Sequence, residues 1–242
     1  HSSNRRQRQM CIRDRAEHGS QVVISSRKQD ACEETAAEIN AAVGAERAIA
    51  IACNIGYKDQ LQNLVDETRS RLGPIDTLIA NAGVNPFYGP MSEIPDDAFD
   101  KTMNSNLRSN HWLCQMVAPD MLAKKRGAIM ITASVGAFGP SDTLGTYNIS
   151  KMADIALVRN LAMEWGPEGV RVNALCPGLI RTDFAKALWD NPEAAKRVTE
   201  QTPLRRFGEA EDFKGIAVFG ASDASAYVTG QALTVCGGTH MF

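Results

Sequence analysis

"GAIMITASVGAFGPSDTLGTYNISK" (Gly127–Lys151) passes from one backbone periodicity to another. Gly127–Ala133 is apolar on consecutive positions, the pattern of a strand covered on both faces. Gly, Pro, Ser and Asp crowd residues 136–145 as a loop, and helical spacing then runs over 146–165. This strand–loop–helix unit recurs along the chain. Strands are predicted at 21–26, 47–53, 76–80, 127–133, 170–175 and 232–236, and helices near 28–43, 57–72, 97–124, 146–165 and 208–220. Short apolar strands alternating with longer helices predict one α/β domain built on a doubly wound parallel sheet. Glycines and prolines gather at 82–90, 136–145 and 177–178, after three of the strands. In open parallel sheets, ligands bind beyond the carboxyl ends of the strands, so those loops are the candidate site.

Composition narrows the function classes. The chain has 242 residues, 44% hydrophobic and 22% charged, with a net charge of −2. That balance offers no basis for nucleic acid or a membrane surface as partner. Six dispersed cysteines without a C-x-x-C pair read as reduced thiols of a cytoplasmic protein. Four histidines without ligand spacing give no metal site. No apolar run is long enough to span a bilayer.

Tyr147 and Lys151 are spaced i, i+4 and share one helix face. An ammonium beside a phenol favours the phenolate, so Lys151 is expected to lower the Tyr147 pKa and fit it for acid–base work on an alcohol/carbonyl pair. Ser134, at the end of the preceding strand, is placed to hold the same oxygen. A lone Y-x-x-x-K is common on solvated helix faces. Here it is accompanied by "NAG" (81–83), "NSNLRS" (104–109) and "CPGLIRT" (176–182).

With these four motifs in order, the chain resembles the short-chain dehydrogenase/reductase family from Ala16 to its carboxyl end. The resemblance implies a Rossmann-like fold and a catalytic tetrad at Asn106, Ser134, Tyr147 and Lys151. The family's thirteen-residue Ser-to-Tyr separation is kept. It further implies that Asn106 interrupts its helix. It implies cofactor contacts at Ser26, Arg27, Asn54, Ile55, Asn81, Ala82, Gly83, Tyr147, Lys151, Pro177, Gly178, Ile180 and Thr182. Within the family, "SSRK", "NPFYG", "LIRTDFAKALW" and "RRFGE" look most like the NADP-dependent carbonyl and retinal reductases. The implied reaction passes a hydride between NADP(H) and a carbonyl or secondary alcohol. A 3-oxoacyl-thioester reductase or a sugar dehydrogenase is the alternative within the family. A non-catalytic interaction protein of the same fold is the alternative outside it.

NADP is favoured over NAD because Ser25-Ser26-Arg27-Lys28 follows the first predicted strand and no acid precedes Asp30. An acid there would bind a ribose 2′-hydroxyl, whereas a guanidinium matches a 2′-phosphate. Asn54 stands where the family usually has the aspartate that binds adenine. Phe87, Tyr88, Phe138, Phe184 and Trp189 are candidates for an apolar substrate pocket, and 183–205 resembles the family's substrate lid. Cys176, with no base near it in sequence, reads as a buried filler. A homotetramer is expected on the helices near 106–124 and 147–165. Its predicted apolar faces carry Trp112, Leu113, Met116, Val117 and Met121, and Leu157, Leu161 and Trp165.

Residues 1–15 break the pattern. They carry five arginines, one aspartate and no glycine, a net of +4 that leaves −6 on 16–242. The family's first strand and glycine-rich phosphate loop are expected here, and neither is present. Met10–Arg15 also matches ATG-TGT-ATA-AGA-GAC-AG, a transposon end used in sequencing libraries, read as five full codons and the first two bases of an arginine codon. Residues 1–15 are therefore expected to be a non-native segment ahead of a single domain over 16–242, with six strands in all.

Overall fold

The computed structural model describes Arg13, residues 15–182 and residues 189–241. All six predicted strands form: β1 (Val22–Ile24), β2 (Ala48–Ala50), β3 (Thr77–Ala80), β4 (Gly127–Thr132), β5 (Val170–Pro177) and β6 (Ala232–Val235). The helices are α1 (Gln29–Val43), α2 (Lys58–Leu72), α3 (Asp96–Met103), α4 (Ser109–Lys124), α5 (Gly145–Trp165), α6 (Pro192–Gln201) and α7 (Lys214–Ala221). The sheet is divided. β1 pairs with β2 in one two-stranded sheet, and a second sheet has the order β3-β4-β5-β6. The pairings β1 with β2, β3 with β4 and β4 with β5 are parallel. This division is what the expected lack of a first strand implies, and among the described residues no strand joins the two parts. The stretch where the family's phosphate loop was sought, ahead of Ala16, lies almost wholly outside the described residues.

The chain forms two compact units. One gathers the described residues of 1–52, 177–219 and 234–242, and the other comprises Cys53–Cys176 and Gly220–Leu233. The second holds the larger core. β4 and β5 are buried along almost their whole length, and Ile129, Ile131, Val170 and Val172 have no exposed surface. Against them pack Val117 and Met121 of α4 and Ile155 and Val158 of α5. Each fully buried aliphatic side chain contributes about 1.5–3 kcal/mol. Polar groups in this core are paired: Asn173 on β5 donates to the Val228 carbonyl at 2.8 Å and accepts from Gln231 N at 3.0 Å. Between α2 and α4, Asp120 accepts from Arg69 Nε at 3.0 Å and from Ile75 N at 2.9 Å, fixing the turn into β3. Salt bridge and main-chain hydrogen bond together hold its carboxyl below the usual range, against the opposing effect of burial.

In the first unit, α1 covers β1 and β2 through Cys32, Ala36 and Ile39. Helix α6 falls within the predicted lid segment and is capped by Asn191, whose side chain accepts from Glu193 N and Ala194 N. Phe184 and the rest of 183–188 lie outside the described residues.

Candidate active site

The predicted helix over 97–124 is interrupted at Asn106, as the family resemblance implies. α3 gives way to a π-helical turn at Asn104–Arg108 before α4 begins. Wide turns of this kind leave main-chain groups for side chains to satisfy, and they recur at functional sites. Asn106, buried in the turn, folds back onto residue 84. Its Oδ1 accepts from Val84 N at 2.7 Å and its Nδ2 donates to Val84 O at 2.9 Å. The same Nδ2 donates to Ser150 Oγ at 3.0 Å, which in turn donates to the Tyr147 carbonyl at 2.7 Å. One asparagine therefore ties the loop after β3 to the first turns of α5.

Ser134 begins a 3₁₀ turn (Val135–Phe138), where its Oγ accepts from Gly136 N at 3.1 Å. Ser134 and Tyr147 share a hydrogen bond. Lys151 is buried, and its Nζ donates to the Thr132 carbonyl at 2.8 Å and to Asp154 Oδ2 at 3.1 Å. The Nζ lies 5.9 Å from the centre of the Tyr147 ring. Asn106, Ser134, Tyr147 and Lys151 all lie in the second unit.

The expected lowering of the Tyr147 pKa does not hold. Burial pushes it up to about 12, the Asp154 carboxylate adds to that rise, and the Ser134 hydrogen bond opposes it. Burial is the main reason, and the Lys151 charge, matched by the Asp154 carboxylate on the same helix, does not offset it. Asp154 itself is held above the usual carboxylate range by burial, with Lys151 and Asn110 pulling the other way. Sequence reading missed Asp154 and Asn110. The available signal was an acid placed three residues after Lys151, on the apolar face of α5.

The remaining predicted positions fall in both units. In the second, Asn81 Oδ1 accepts from Thr132 Oγ1 at 2.9 Å. A Cβ on Gly83 would lie 3.4 Å from Lys151 Nζ and 3.5 Å from Asn106 Oδ1. The loop after β3, including Ala82, thus runs directly past the tetrad. Asn54 Oδ1 accepts from Gly56 N at 3.1 Å, shaping the turn that holds Ile55. In the first unit, Ser26 Oγ lies 3.1 Å from Cys32 Sγ, and Arg27 is exposed. Gly178 N donates to Val235 O at 3.0 Å, following Pro177, and Ile180 bridges to Gly208. Thr182 is buried, and its carbonyl accepts from Trp189 Nε1 at 2.8 Å.

Of the predicted pocket aromatics, Phe87 lines a small crevice with Met91, Ile94, Leu144 and Tyr147. Phe138 packs on the core and Tyr88 is 70% exposed. A larger groove of about 460 Å³, lined by Lys58, Trp112, Met116 and Asp120, contains no tetrad residue. Cys176 has no exposed surface, and burial pushes its thiol up to about 11, which suits a filler and not a nucleophile.

The donor set suits the nicotinamide half of a dinucleotide. Among described residues Lys151 commits two of its three N–H groups, leaving one for a ribose hydroxyl. Gly83 lets a ligand approach without a side chain in the way.

Comparison with known proteins gives a consistent picture. Residues 9–240 match the family described as enoyl-(acyl carrier protein) reductase. The chain is 36% identical over 228 residues to "Dehydrogenase/reductase SDR family member 4" of Oryctolagus cuniculus, covering 92% of this chain and 85% of that protein. It is similar to the crystal structure of a gluconate 5-dehydrogenase from Burkholderia cenocepacia J2315 in complex with NADP and tartrate. That match has a TM-score of 0.90 at 30% identity and covers 95% of this chain and 89% of the other. A 7α-hydroxysteroid dehydrogenase complexed with NADH and 7-oxo glycochenodeoxycholic acid matches with a TM-score of 0.89 at 34% identity, covering 96% and 88%.

Proposed function

The chain belongs to the short-chain dehydrogenase/reductase family, and from that premise we propose that it is an NADP-dependent reductase of aromatic or α-dicarbonyl compounds, akin to the family's carbonyl and retinal reductases. An NAD(P)-dependent oxidoreductase of carbonyl/alcohol pairs is the activity that the family carries. The direction and the cofactor preference are our reading.

One observation carries the reading: Tyr147 is hydrogen-bonded to Ser134, with Lys151 Nζ 5.9 Å from its ring on the same helix. A phenol that stays protonated through neutral pH is poised to give a proton, which is what carbonyl reduction requires. When bound, NADPH supplies the hydride. Tyr147 donates its proton to the carbonyl oxygen as negative charge develops there. Ser134, whose Oγ already accepts from Gly136 N, has its hydroxyl proton to give to the same oxygen. Lys151 holds the ribose hydroxyls, and Asn106 fixes the loop after β3 against α5. Arg27 reads the 2′-phosphate, and its exposure beyond β1 leaves the guanidinium available to it.

Tyr147→Phe tests the assignment. It removes the proton donor alone, so NADPH oxidation followed by absorbance should fall at least about 100-fold while NADPH binding by fluorescence persists. Retained turnover would refute it. A sugar dehydrogenase is the second reading, favoured by the likeness to a gluconate 5-dehydrogenase; including gluconate in the substrate panel separates the two.

The assembly we propose is a cytoplasmic homotetramer. Val117, Met121, Leu161 and Trp165 are spent on the chain's own core, so the free apolar surface is smaller than the helical faces alone suggest. Ile149, Met152 and Met163 remain exposed on α5, and Trp112 and Met116 line the groove beside α4. Light scattering at micromolar concentration should give four times the chain mass, and a monomer would refute the proposal. No helix among the described residues is long and apolar enough to cross a membrane.

A further inference from the structure

Asp154 has no exposed surface and belongs to no part of the tetrad. Its Oδ2 accepts from Lys151 Nζ at 3.1 Å and its Oδ1 from Asn110 Nδ2 at 2.9 Å. The same Asn110 Nδ2 donates to the Asn106 carbonyl at 2.6 Å, so one amide joins the carboxylate to the π turn. An aliphatic side chain would fill this space on α5 without any charge to desolvate, so packing alone gives no reason for an acid here. The titratable groups that face it are Lys151 and Tyr147 on its own helix, Cys114 on α4 and Cys176 on β5. Burial pushes the two thiols up to about 12 and about 11, which leaves Lys151 as the cation that Asp154 meets.

We infer that Asp154 is a positioning residue for the reductase chemistry proposed above, on which this inference rests: anchored by Asn110, its carboxylate fixes the Lys151 ammonium beside Thr132 and offsets that charge at Tyr147, keeping the tyrosine a proton donor. The carboxylate thereby sets the pH range of each direction. Reduction, which consumes the phenolic proton, continues to high pH. Alcohol oxidation, which needs the phenolate, begins only at high pH. Without the carboxylate, the unopposed ammonium draws the phenolate range downward.

The test uses the full chain with ¹³C-labelled tyrosine. Four tyrosines are present, and Tyr147→Phe identifies the Tyr147 ring signal. The wild-type signal should stay in its phenol form to about pH 11. In Asp154→Asn, which keeps the shape and removes the charge, its midpoint should fall by about one unit or more. Asp154→Leu, which fills the space with apolar atoms, should do the same and stands in if the amide variant does not fold. An unmoved or raised midpoint in the folded variants overturns the inference. This titration needs neither cofactor nor turnover, so it decides the role of Asp154 even if no carbonyl compound is reduced, an outcome that would count against the functional reading alone. Where turnover is measured, the kcat profile for alcohol oxidation should move down by the same amount as the ring signal, and KM should not follow it.

Discussion

Breaking the Lys151–Asp154 pair should expose what it contributes to folding. The two side chains are 3% and 0% exposed and 3.1 Å apart. At an effective dielectric of about 20 their attraction is roughly 5 kcal/mol. Burial removes several kcal/mol of hydration from each ion, so the intact pair adds little net stability. Losing one partner is a different matter. Lys151→Met leaves the Asp154 carboxylate with Asn110 as its remaining donor, and should cost about 3–5 kcal/mol where Asp154 is ionised. For a chain of this size, that lowers the melting midpoint by on the order of 10 °C. The deficit has a definite pH sign. Burial already raises the Asp154 pKa in the folded state, and losing the ammonium raises it further. A raised carboxyl pKa gives stability that is fully present below the unfolded value and lost as pH rises through the folded one. The variant should therefore lie closer to wild type near about pH 5 than near about pH 8. Lys151→Met with Asp154→Leu should recover much of the loss, giving a coupling of about 2 kcal/mol or more in a double-mutant cycle. Urea unfolding of the four chains at both pH values is the assay. Additive single effects, or a deficit that ignores pH, would refute the reasoning.

Cofactor preference should follow Arg27: Arg27→Asp removes a phosphate partner and adds repulsion, so the ratio of kcat/KM for NADPH over NADH should fall about tenfold or more, and an unchanged ratio would place 2′-phosphate recognition elsewhere. Gly169 closes the turn after α5 at φ 78°, where an added Cβ would overlap the Lys125 carbonyl. Gly169→Ala should cost about 2–3 kcal/mol or more by thermal unfolding, against a near-neutral result if the turn could shift.

Much of the architecture is written in short-range pattern. β4 was legible because a strand covered on both faces needs apolar residues at consecutive positions, which Gly127–Ile131 supplies. β5 does so only over Ala174–Cys176 and carries Arg171 and Asn173 through hydrogen bonds. Tyr147 and Lys151 were legible because the i, i+4 spacing on a helix fixes their relation before any tertiary contact forms. The ends of β1 and β2 were overestimated. An apolar run marks what can be buried, whereas a strand ends where its partner's hydrogen bonds end, and among the described residues these two pair only with each other.

The sequence by itself determined the alternating elements and the order of the motifs, from which Asn106, Ser134, Tyr147 and Lys151 are proposed as the tetrad. Only the tertiary structure decided their electrostatics. It set the π turn at Asn106, because that turn opens to let one side chain close on Val84, 22 residues away. It set the Tyr147 pKa chiefly by burying the phenol, and α4 adds to that by bringing Asn110 to Asp154 across 44 residues, which holds a carboxylate beside Lys151. Periodicity records which face of an element is apolar. The sign of the charge next to a phenol depends on which buried groups packing brings within hydrogen-bond reach, and that is a property of two helices together.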